Sequence, residues 1–411
     1  MSNKYSESSY SLTKQLSKVD KRKQGIFFTP PKCILNIMAK LDSYIDIEHT
    51  EPLDILEPSC GSGEFISKLR AKYVESRILG IENNKTIFDS VKKYNTENTN
   101  TTIVNADFLK YDFKNKEFDL IIGNPPYFVM NKTMVEKKYK DYYTGRPNIF
   151  IIFILKCLSL LKSNGVLAFV LPKSFLNCVY YNKTRVYIHH KFEILDIFES
   201  NDKYIETAQP TVVFMLKNSG IVAGNKRFVL EKNGFTVFGS EGNIKDLTEL
   251  YKDSKTLNQL GFKVSVGKVV WNQCKSILTN DKTKTRLIYS SDIVNKKLSM
   301  KEYSNPQKKN YIDKPGINKP MMILNRGYGV GNYVFNYCIL DGSMKYLTEN
   351  HLICIEYKKK LAKSKLMELF NKIAESFENE KTKKFINLYF GNSAINTTEM
   401  AHILPVYLIT N

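Results

Sequence analysis

Seven short apolar runs in the first half of the chain alternate with helix-like segments, and this alternation restricts the possible folds more than any other feature. Strands that alternate with helices predict a parallel, doubly wound α/β sheet. Helices are expected at 64–74, 84–94 and 148–162. The last is apolar nearly all round, so it should be buried, and it should stop before Gly165. The expected strands are Leu53–Leu56, Ile78–Ile81, Ile103–Val104, Phe118–Ile122, Val166–Leu171, Ile194–Phe198 and Val212–Leu216.

The charge is uneven along the chain. Over all 411 residues, 61 basic and 41 acidic side chains give a formal net charge of +20, which favours a polyanionic partner. Residues 251–330 alone hold 16 basic and 5 acidic side chains. We therefore expect a polar N-terminal extension at 1–24, a catalytic domain at 25–217 and a basic nucleic-acid-binding domain at 218–411, with a helix near 356–382. The alternative is a solvated basic surface that binds nothing.

Membrane, secreted and metal-dependent proteins are disfavoured. The longest uninterrupted apolar run, Ile149–Leu155, is far shorter than the ~20 residues of a membrane-spanning helix. The N-terminus has no apolar signal core. Seven cysteines without a C-x-x-C pair, and five histidines without an H-x-x-x-H pair, indicate a reducing cytoplasm with neither a disulfide framework nor a metal site.

A strand, a tight turn and a helix start are predicted over residues 54–65, DILEPSCGSGEF. Gly61 and Gly63 allow the backbone to turn sharply and approach a ligand, and the amides that start the helix suit an anion such as a carboxylate. Because Ile66 stands where a dinucleotide fingerprint needs a third glycine, a pyrophosphate ligand is disfavoured. Taken alone, the pattern fits an ordinary strand–helix turn equally well.

The next two strands each end in a carboxylate. Glu82, followed by Asn83, ends the second strand, where an acid can accept both hydroxyls of a ribose. Asp107 follows the third strand and can accept from an adenine amino group, while Phe108 can stack on the ring. Each acid alone is also typical of a surface, but the carboxyl ends of parallel strands share one sheet edge. Adenosine with a carboxylate and no phosphate describes S-adenosylmethionine, which we predict as the cofactor.

The sequence Asn124-Pro125-Pro126-Tyr127 follows the fourth predicted strand. Its prolines stiffen the backbone and remove two amide donors. We expect the Asn124 amide oxygen and the bare carbonyl beside it to accept both hydrogens of an –NH2 group such as the adenine amine. This localises the nitrogen lone pair for attack on the sulfonium methyl, and the face of Tyr127 stabilises the developing charge by about 1–2 kcal/mol. The alternative is a rigid turn with an exposed tyrosine.

A duplex hides the adenine amine inside the base stack. The target base must therefore be flipped into the pocket before its amine can react. Tyr204, just before the strand Pro210–Leu216, is the candidate for a second aromatic side chain that holds the flipped base. An ordinary surface tyrosine is equally typical of that position.

In content and order, these motifs resemble the γ-class N6-adenine DNA methyltransferases of bacterial and viral type II restriction–modification systems. The resemblance covers residues 24 to about 217 and adds FTPP at 28–31, which covers the methionine end of the cofactor, and GRPNIF at 145–150, a helix start beside its adenine. It implies a Rossmann-like, seven-stranded, mostly parallel sheet ending in an antiparallel hairpin, a C-terminal mixed α+β target-recognition domain, and DNA in the cleft between them. The implied catalytic residues are Asn124, Pro125, Tyr127 and Tyr204, and the implied cofactor-binding residues are Thr29, Glu57, Pro58, Ser59, Cys60, Gly61, Gly63, Glu82, Asn83, Asp107, Phe108, Asn124 and Pro126.

Two segments of the second half, Gly261–Lys275 and Leu324–Tyr333, look like recognition segments of such enzymes. Glycine-rich loops let side chains approach bases or phosphates closely. The alternative is a glycine-turned hairpin without contacts to DNA. The expected DNA-binding residues are Lys268, Trp271, Lys284, Arg286, Arg326, Tyr328 and Asn332.

We expect a monomeric, cytoplasmic enzyme that acts on double-stranded DNA, with a separate cognate restriction endonuclease as a functional rather than physical partner. Enzymes with the same proline corner also modify RNA amines and protein glutamine, and these substrates are alternatives. A catalytically dead binding protein is a further alternative, against which the intact Asn124, Tyr127 and Asp107 speak. A fused nuclease is not expected, because the second half shows no carboxylate–lysine nuclease pattern.

Overall fold

The computed structural model describes residues 4–45, 51–95, 100–200, 202, 204–207, 209–326, 334–390 and 395–408. The chain divides into two compact units, Met1–Ile244 and Lys245–Asn411. The sequence places a domain boundary earlier, at 217/218. Residues 218–244 instead belong to the first unit, where Arg185 donates to the Thr236 carbonyl and the Thr236 amide donates to Asn182. The functional division of the chain stays a prediction.

The first unit contains the predicted doubly wound sheet, so the fold class is confirmed. Its strands are β1 (Asp54–Glu57), β2 (Arg77–Glu82), β3 (Thr101–Asn105), β4 (Phe118–Gly123), β5 (Leu161–Pro172), β6 (Glu193–Ser200) and β7 (Thr211–Lys217). They lie in the order β3-β2-β1-β4-β5-β7-β6. β7 is antiparallel to both its neighbours and the other pairs are parallel, as the resemblance implies. A hairpin of β8 (Val229–Lys232) and β9 (Phe235–Phe238) follows.

The helices up to residue 250 are α1 (Glu7–Gln15), α2 (Lys18–Gln24), α3 (Pro31–Leu41), α4 (Glu64–Lys72), α5 (Lys85–Val91), α6 (Ile149–Leu158), α7 (Asn182–Lys191) and α8 (Glu241–Leu250), with 3-10 turns at Lys92–Tyr94, Lys132–Met134, Lys137–Tyr142, Lys173–Leu176, Val179–Tyr181 and Ala223–Arg227. Residues of α3, α4 and α5 share one apolar cluster with the sheet and residues of α6 and α7 share the other, whereas α8 spans the boundary between the two units. Consecutive residues of β5 alternate between two apolar clusters. Leu167 and Phe169 lie with α6, whereas Val166 and Ala168 lie with α3 and α4.

The predicted end of α6 is wrong. The helix stops at Leu158, and β5 begins at Leu161, so Gly165 lies inside a strand rather than at a helix end. A Cβ at Gly165 would lie 2.8 Å from the Phe118 carbonyl oxygen. The glycine therefore permits a close approach of β5 to the start of β4.

Within residues 4–24, α1 and α2 pack onto the rest of the first unit. The Ser9 hydroxyl contacts Ser62 Oγ at 2.7 Å and Glu64 Oε1 at 2.6 Å. The Lys21 ammonium contacts Glu206 at 2.6 Å. The expected extension thus packs against the glycine loop that follows β1.

The second unit is the expected mixed α+β structure. Its strands are β10 (Phe262–Val266), β11 (Leu278–Thr279), β12 (Thr285–Ile288), β13 (Ile293–Val294), β14 (Lys297–Leu298), β15 (Tyr311–Ile312), β16 (Met321–Asn325), β17 (Tyr337–Leu340), β18 (Tyr346–Thr348) and β19 (Leu352–Tyr357). They form the sheets β10-β19-β16-β17, β11-β15-β12-β18 and β13-β14. The helices are α9 (Lys363–Glu378), α10 (Glu380–Tyr389) and α11 (Thr397–His402), with 3-10 turns at Trp271–Gln273, Lys275–Ile277 and Ser290–Asp292. The helix expected from residue 356 starts later, because β19 occupies the stretch to Tyr357.

Three further observations concern the described part of the chain. No helix there combines the length and the apolar character that crossing a bilayer requires. The seven cysteines are free thiols. No three His, Cys, Asp or Glu side chains within the described ranges are grouped so that they could hold a metal ion.

Candidate active site

The loop after β1 depends on glycine at both predicted positions. Gly61 and Gly63 have φ angles of +50° and +79°, in the left-handed region that disfavours other residues. A Cβ at Gly63 would also lie 2.7 Å from the ring of Tyr94. Gly63 is the N-cap of α4, so the turn leads directly into that helix.

Glu82, the last residue of β2, is held by the backbone around it. Its Oε2 accepts from the Gly61 amide at 2.9 Å, and its Oε1 accepts from the Asn84 amide at 2.7 Å. Burial raises the pKa of this carboxyl to about 7, although the backbone donors pull it down. Each oxygen has a second lone pair, so Glu82 can still accept from a ligand hydroxyl.

Glu57, the last residue of β1, is a second buried carboxyl beside the first. Burial raises its pKa well above the usual value, and the neighbouring charge of Glu82 adds to this. Among the described residues, its Oε2 has no hydrogen-bond partner. A buried carboxylate oxygen without a partner is costly, so burial at this position favours the neutral, protonated carboxyl.

The turn after β3 carries Asp107 and Phe108. Asp107 Oδ1 accepts from the Leu109 amide at 3.0 Å, while its side chain is 41% exposed. The Phe108 ring is buried, with its centroid 4.6 Å from that of Phe153. A flat apolar surface next to an accessible carboxylate can take a base that has an amino group.

Lys156 of α6 holds this turn in place, and sequence reasoning missed it. Its ammonium donates to the carbonyl oxygens of Phe108, Leu109 and Tyr111 at 2.7, 2.9 and 3.0 Å. Burial lowers its pKa. The signal was present in the sequence, because a lone lysine in an apolar helix must find polar partners when it is buried.

Asn124, directly after β4, is fixed from two sides. Its Nδ2 donates to the Phe27 carbonyl oxygen at 3.2 Å, which leaves Oδ1 as the accepting end. The Ser59 hydroxyl donates to the Asn124 carbonyl oxygen at 3.2 Å, so the corner is tied to the glycine loop. Within the described ranges, no donor bonds to the carbonyl oxygen of Pro125. Two acceptors are therefore available at this corner.

The Tyr127 hydroxyl lies between two acceptors. It is 2.5 Å from Asn124 Oδ1 and 2.7 Å from the Val170 carbonyl oxygen. Burial raises the pKa of Tyr127 well above its usual value, so the phenol stays protonated. These contacts fix the ring beside the corner, and the second lone pair of Oδ1 remains for another donor.

Tyr204 lies in the same neighbourhood. Its hydroxyl contacts Thr211 Oγ1 at 3.4 Å. Burial raises the pKa of Tyr204, so this phenol stays protonated like that of Tyr127. Its role as a second aromatic side chain for a flipped base stays a prediction.

A cavity of about 230 Å³ lies at the carboxyl edge of the sheet. Nine predicted cofactor residues line it: Pro58, Ser59, Gly61, Glu82, Asn83, Asp107, Phe108, Asn124 and Pro126. Four others, Thr29, Glu57, Cys60 and Gly63, are buried and do not line it. Phe28 and Ile149, which belong to the motifs at 28–31 and 145–150, also line it. Sequence reasoning missed Lys23, Gln24, Gly25, Ile26, Phe27, Asn84, Ile87, Ala106, Phe128 and Phe153.

Gly25 allows the backbone of residues 23–28 to approach the cavity. This residue ends α2 with φ of +66°, and a Cβ on it would lie 2.6 Å from the Tyr127 amide nitrogen. The backbone after α2 therefore lies directly against the proline corner. A glycine after a short capped helix was the available signal.

The residues expected to bind DNA behave differently from one another. Arg286 is buried and donates to Asp292 Oδ2 at 2.8 Å and to Asn310 Oδ1 at 2.7 Å. It stabilises the second unit, so a DNA contact is not supported for it. Lys284 is ion-paired with Asp313 at 2.9 Å. Lys268 is exposed, Trp271 and Arg326 are half-buried, and Tyr328 and Asn332 lie outside the described residues.

Known proteins match both the first part and the whole of this chain. Residues 14–205 match the model of the Eco57I restriction-modification methylase family. Type II methyltransferase M.CvrRI of Paramecium bursaria Chlorella virus XZ-6E is 28% identical over 406 residues, which cover 98% of this chain and 99% of that protein. Modification methylase CviBIII of Paramecium bursaria Chlorella virus NC1A is 34% identical over 221 residues, which cover 52% of this chain and 55% of that protein. A solved DrdV–DNA complex shares the fold, with a TM-score of 0.56 and 13% identity over 94% of this chain and 56% of the DrdV chain.

Proposed function

Since this chain is a type II restriction–modification methyltransferase, which uses S-adenosylmethionine to methylate DNA, we propose that its target is the N6 amine of an adenine flipped out of the duplex. The observation that carries the proposal is the position of Asn124. It lines the same cavity as Glu82 and Asp107, and its amide oxygen is the end directed to accept hydrogen bonds.

The cavity fits S-adenosylmethionine. Glu82 keeps acceptor capacity for a ribose hydroxyl, and Asp107 can accept from the adenine amino group. Phe108 offers the cofactor adenine a flat apolar contact. S-adenosylmethionine supplies an electrophilic methyl group on its sulfonium.

The proline corner prepares the target amine for attack. Asn124 Oδ1 and the Pro125 carbonyl oxygen accept its two hydrogens, which draws the nitrogen lone pair out of the aromatic ring. The Tyr127 face lowers the free energy of the positive charge that develops on nitrogen by about 1–2 kcal/mol. Positioning and fixed dipoles supply most of the acceleration, and the surplus proton leaves to solvent.

The second unit reads the DNA sequence in this proposal. Its excess of basic residues supports this role, as does the presence of DNA in the DrdV complex, whose fold matches 94% of this chain. Methylation would protect the recognition site from a separate cognate endonuclease. We further propose that the enzyme acts as a monomer in the cytoplasm.

Expression in a methylation-free bacterial host tests the proposal. Single-molecule sequencing of the host DNA should find N6-methyladenine at one fixed sequence context, and an Asn124→Ala variant expressed to the same level should leave no such marks. Methyl groups found only on cytosine, on RNA or on protein would overturn the assignment of adenine in DNA.

A further inference from the structure

The segment 129–146 leaves the proline corner and returns to the start of α6. Its two ends are joined, because the Met130 amide donates to the Pro147 carbonyl oxygen at 2.8 Å and the Ile149 amide donates to the Phe128 carbonyl oxygen at 2.9 Å. Both ends of the segment therefore lie beside the residues that we assign to the target amine.

The 129–146 segment is anchored to the body of the first unit. Tyr139 and Tyr143 are buried, and the Thr144 amide donates to the Tyr180 carbonyl oxygen at 2.9 Å. These contacts already fix the segment. A ligand that binds it therefore loses little binding free energy to the ordering of the backbone.

The outward side of the segment combines cations with large apolar side chains. Val129 is 58% exposed and Met134 is 73% exposed. Only Lys138 has a local ion pair, with Glu136 at 3.0 Å. Four exposed cations have no ion-pair partner among the described residues: Lys132, Lys137, Lys140 and Arg146.

We propose that the 129–146 segment binds the sugar–phosphate backbone of duplex DNA beside the flipped adenine. Uncompensated cations next to exposed apolar side chains suit a ligand that offers phosphates together with sugar and base edges. The inference rests on the proposed function and extends it, since it places a DNA-binding surface in the catalytic unit and not only in the basic second half. The segment starts two residues after Tyr127, so it reaches the nucleotides that flank the target.

A pair of charge-reversal variants tests this surface. The first carries Lys132→Glu, Lys137→Glu and Lys140→Glu. The matched control carries Lys114→Glu, Lys191→Glu and Lys226→Glu, three exposed lysines of the same unit that lie away from the carboxyl edge of the sheet, so that net charge changes equally. Dissociation constants for a fluorescein-labelled duplex of mixed sequence are measured across a salt series. Thermal melting and S-adenosylhomocysteine affinity report on folding.

The segment variant should bind duplex DNA on the order of tenfold or more weakly at low salt, with a salt slope shallower by about 2–3, because each lost phosphate contact removes about 0.9. The control should keep the wild-type slope, and both should bind S-adenosylhomocysteine normally. Equal slopes in the two variants would overturn the inference alone. A wild-type protein that binds S-adenosylhomocysteine but no DNA would overturn the proposed function and this inference with it.

Discussion

The sheet edge of the first unit and the basic stretch of the second unit both carry residues that the sequence marks as functional, but those residues have different partners. At the sheet edge, Glu82 and Asn124 are held by backbone groups and keep acceptors for a ligand. In the second unit, Arg286 forms an ion pair with Asp292, and Lys284 forms one with Asp313. Position at a strand end therefore predicts a side chain that lines a cavity better than charge predicts an unpaired cation, because topology fixes where the strand end lies.

The largest expected effect is at the proline corner. Asn124→Ala should lower kcat on the order of 10²–10³-fold, comparable with the loss of one preorganised hydrogen-bonding group, and leave S-adenosylhomocysteine affinity nearly unchanged. Tyr127→Phe is the matched control, because it keeps the ring and removes only the hydroxyl that contacts Asn124. Single-turnover kinetics measure both. If Asn124→Ala turns over at close to the wild-type rate, Asn124 is not required as a hydrogen-bond acceptor for the target amine.

The second unit should respond in stability rather than in chemistry. Arg286→Met leaves Asp292 buried without its cation, so the free energy of unfolding should fall by about 3–5 kcal/mol. Lys268→Met, at an exposed position, should change it by less than about 0.5 kcal/mol. Urea unfolding gives both values. An Arg286→Met protein of normal stability that binds DNA poorly would restore the predicted DNA contact.

Alanine substitutions at two glycines distinguish the cost of a positive φ angle from the cost of steric crowding at the proline corner. Gly25 and Gly220 have φ of +66° and +72°, and a Cβ at Gly220 would meet nothing within 4 Å. Gly220→Ala should destabilise the fold by about 1–2 kcal/mol through the positive φ alone, and Gly25→Ala should destabilise it by more, because its Cβ also meets the Tyr127 backbone. Only Gly25→Ala should also lower kcat, because its Cβ would press on the Tyr127 amide. If both variants lose the same stability and keep wild-type turnover, the close approach of Gly25 to the Tyr127 amide is not needed for catalysis.

A smaller effect is expected from pH. The pKa of Glu82 is raised to about 7, so the carboxylate that we assign to the ribose hydroxyls is fully formed only above that pH. Affinity for S-adenosylhomocysteine should be highest near about pH 8 and fall by up to about tenfold per pH unit below 7. Glu82→Gln should bind more weakly at high pH and lose this dependence. Isothermal titration across pH checks it, and an unchanged profile in Glu82→Gln would assign the titration elsewhere.

Much of the first unit could be predicted from the sequence, since apolar alternation specifies the strands and polar residues at their ends specify the site. The sequence carried a signal for Gly25 and for Lys156, but their partners could not be predicted, because these contacts depend on tertiary approaches between distant segments. The second unit was predicted from its charge, from one helical pattern near 356–382 and from two glycine-rich segments, Gly261–Lys275 and Leu324–Tyr333. Net charge does not reveal which cations form ion pairs inside the fold. Arg286, which was expected to bind DNA, instead pairs with the buried Asp292.

The central claim is that the proline corner directs a methyl group to the exocyclic amine of adenine. The most direct test incubates the purified protein with duplex DNA and S-adenosylmethionine that carries a deuterated methyl group, then analyses the digested nucleosides by mass spectrometry. We predict the label on N6-methyl-2′-deoxyadenosine with the wild-type protein and its absence with Asn124→Ala. Label on a cytosine amine, or equal labelling by the two proteins, would contradict the claim.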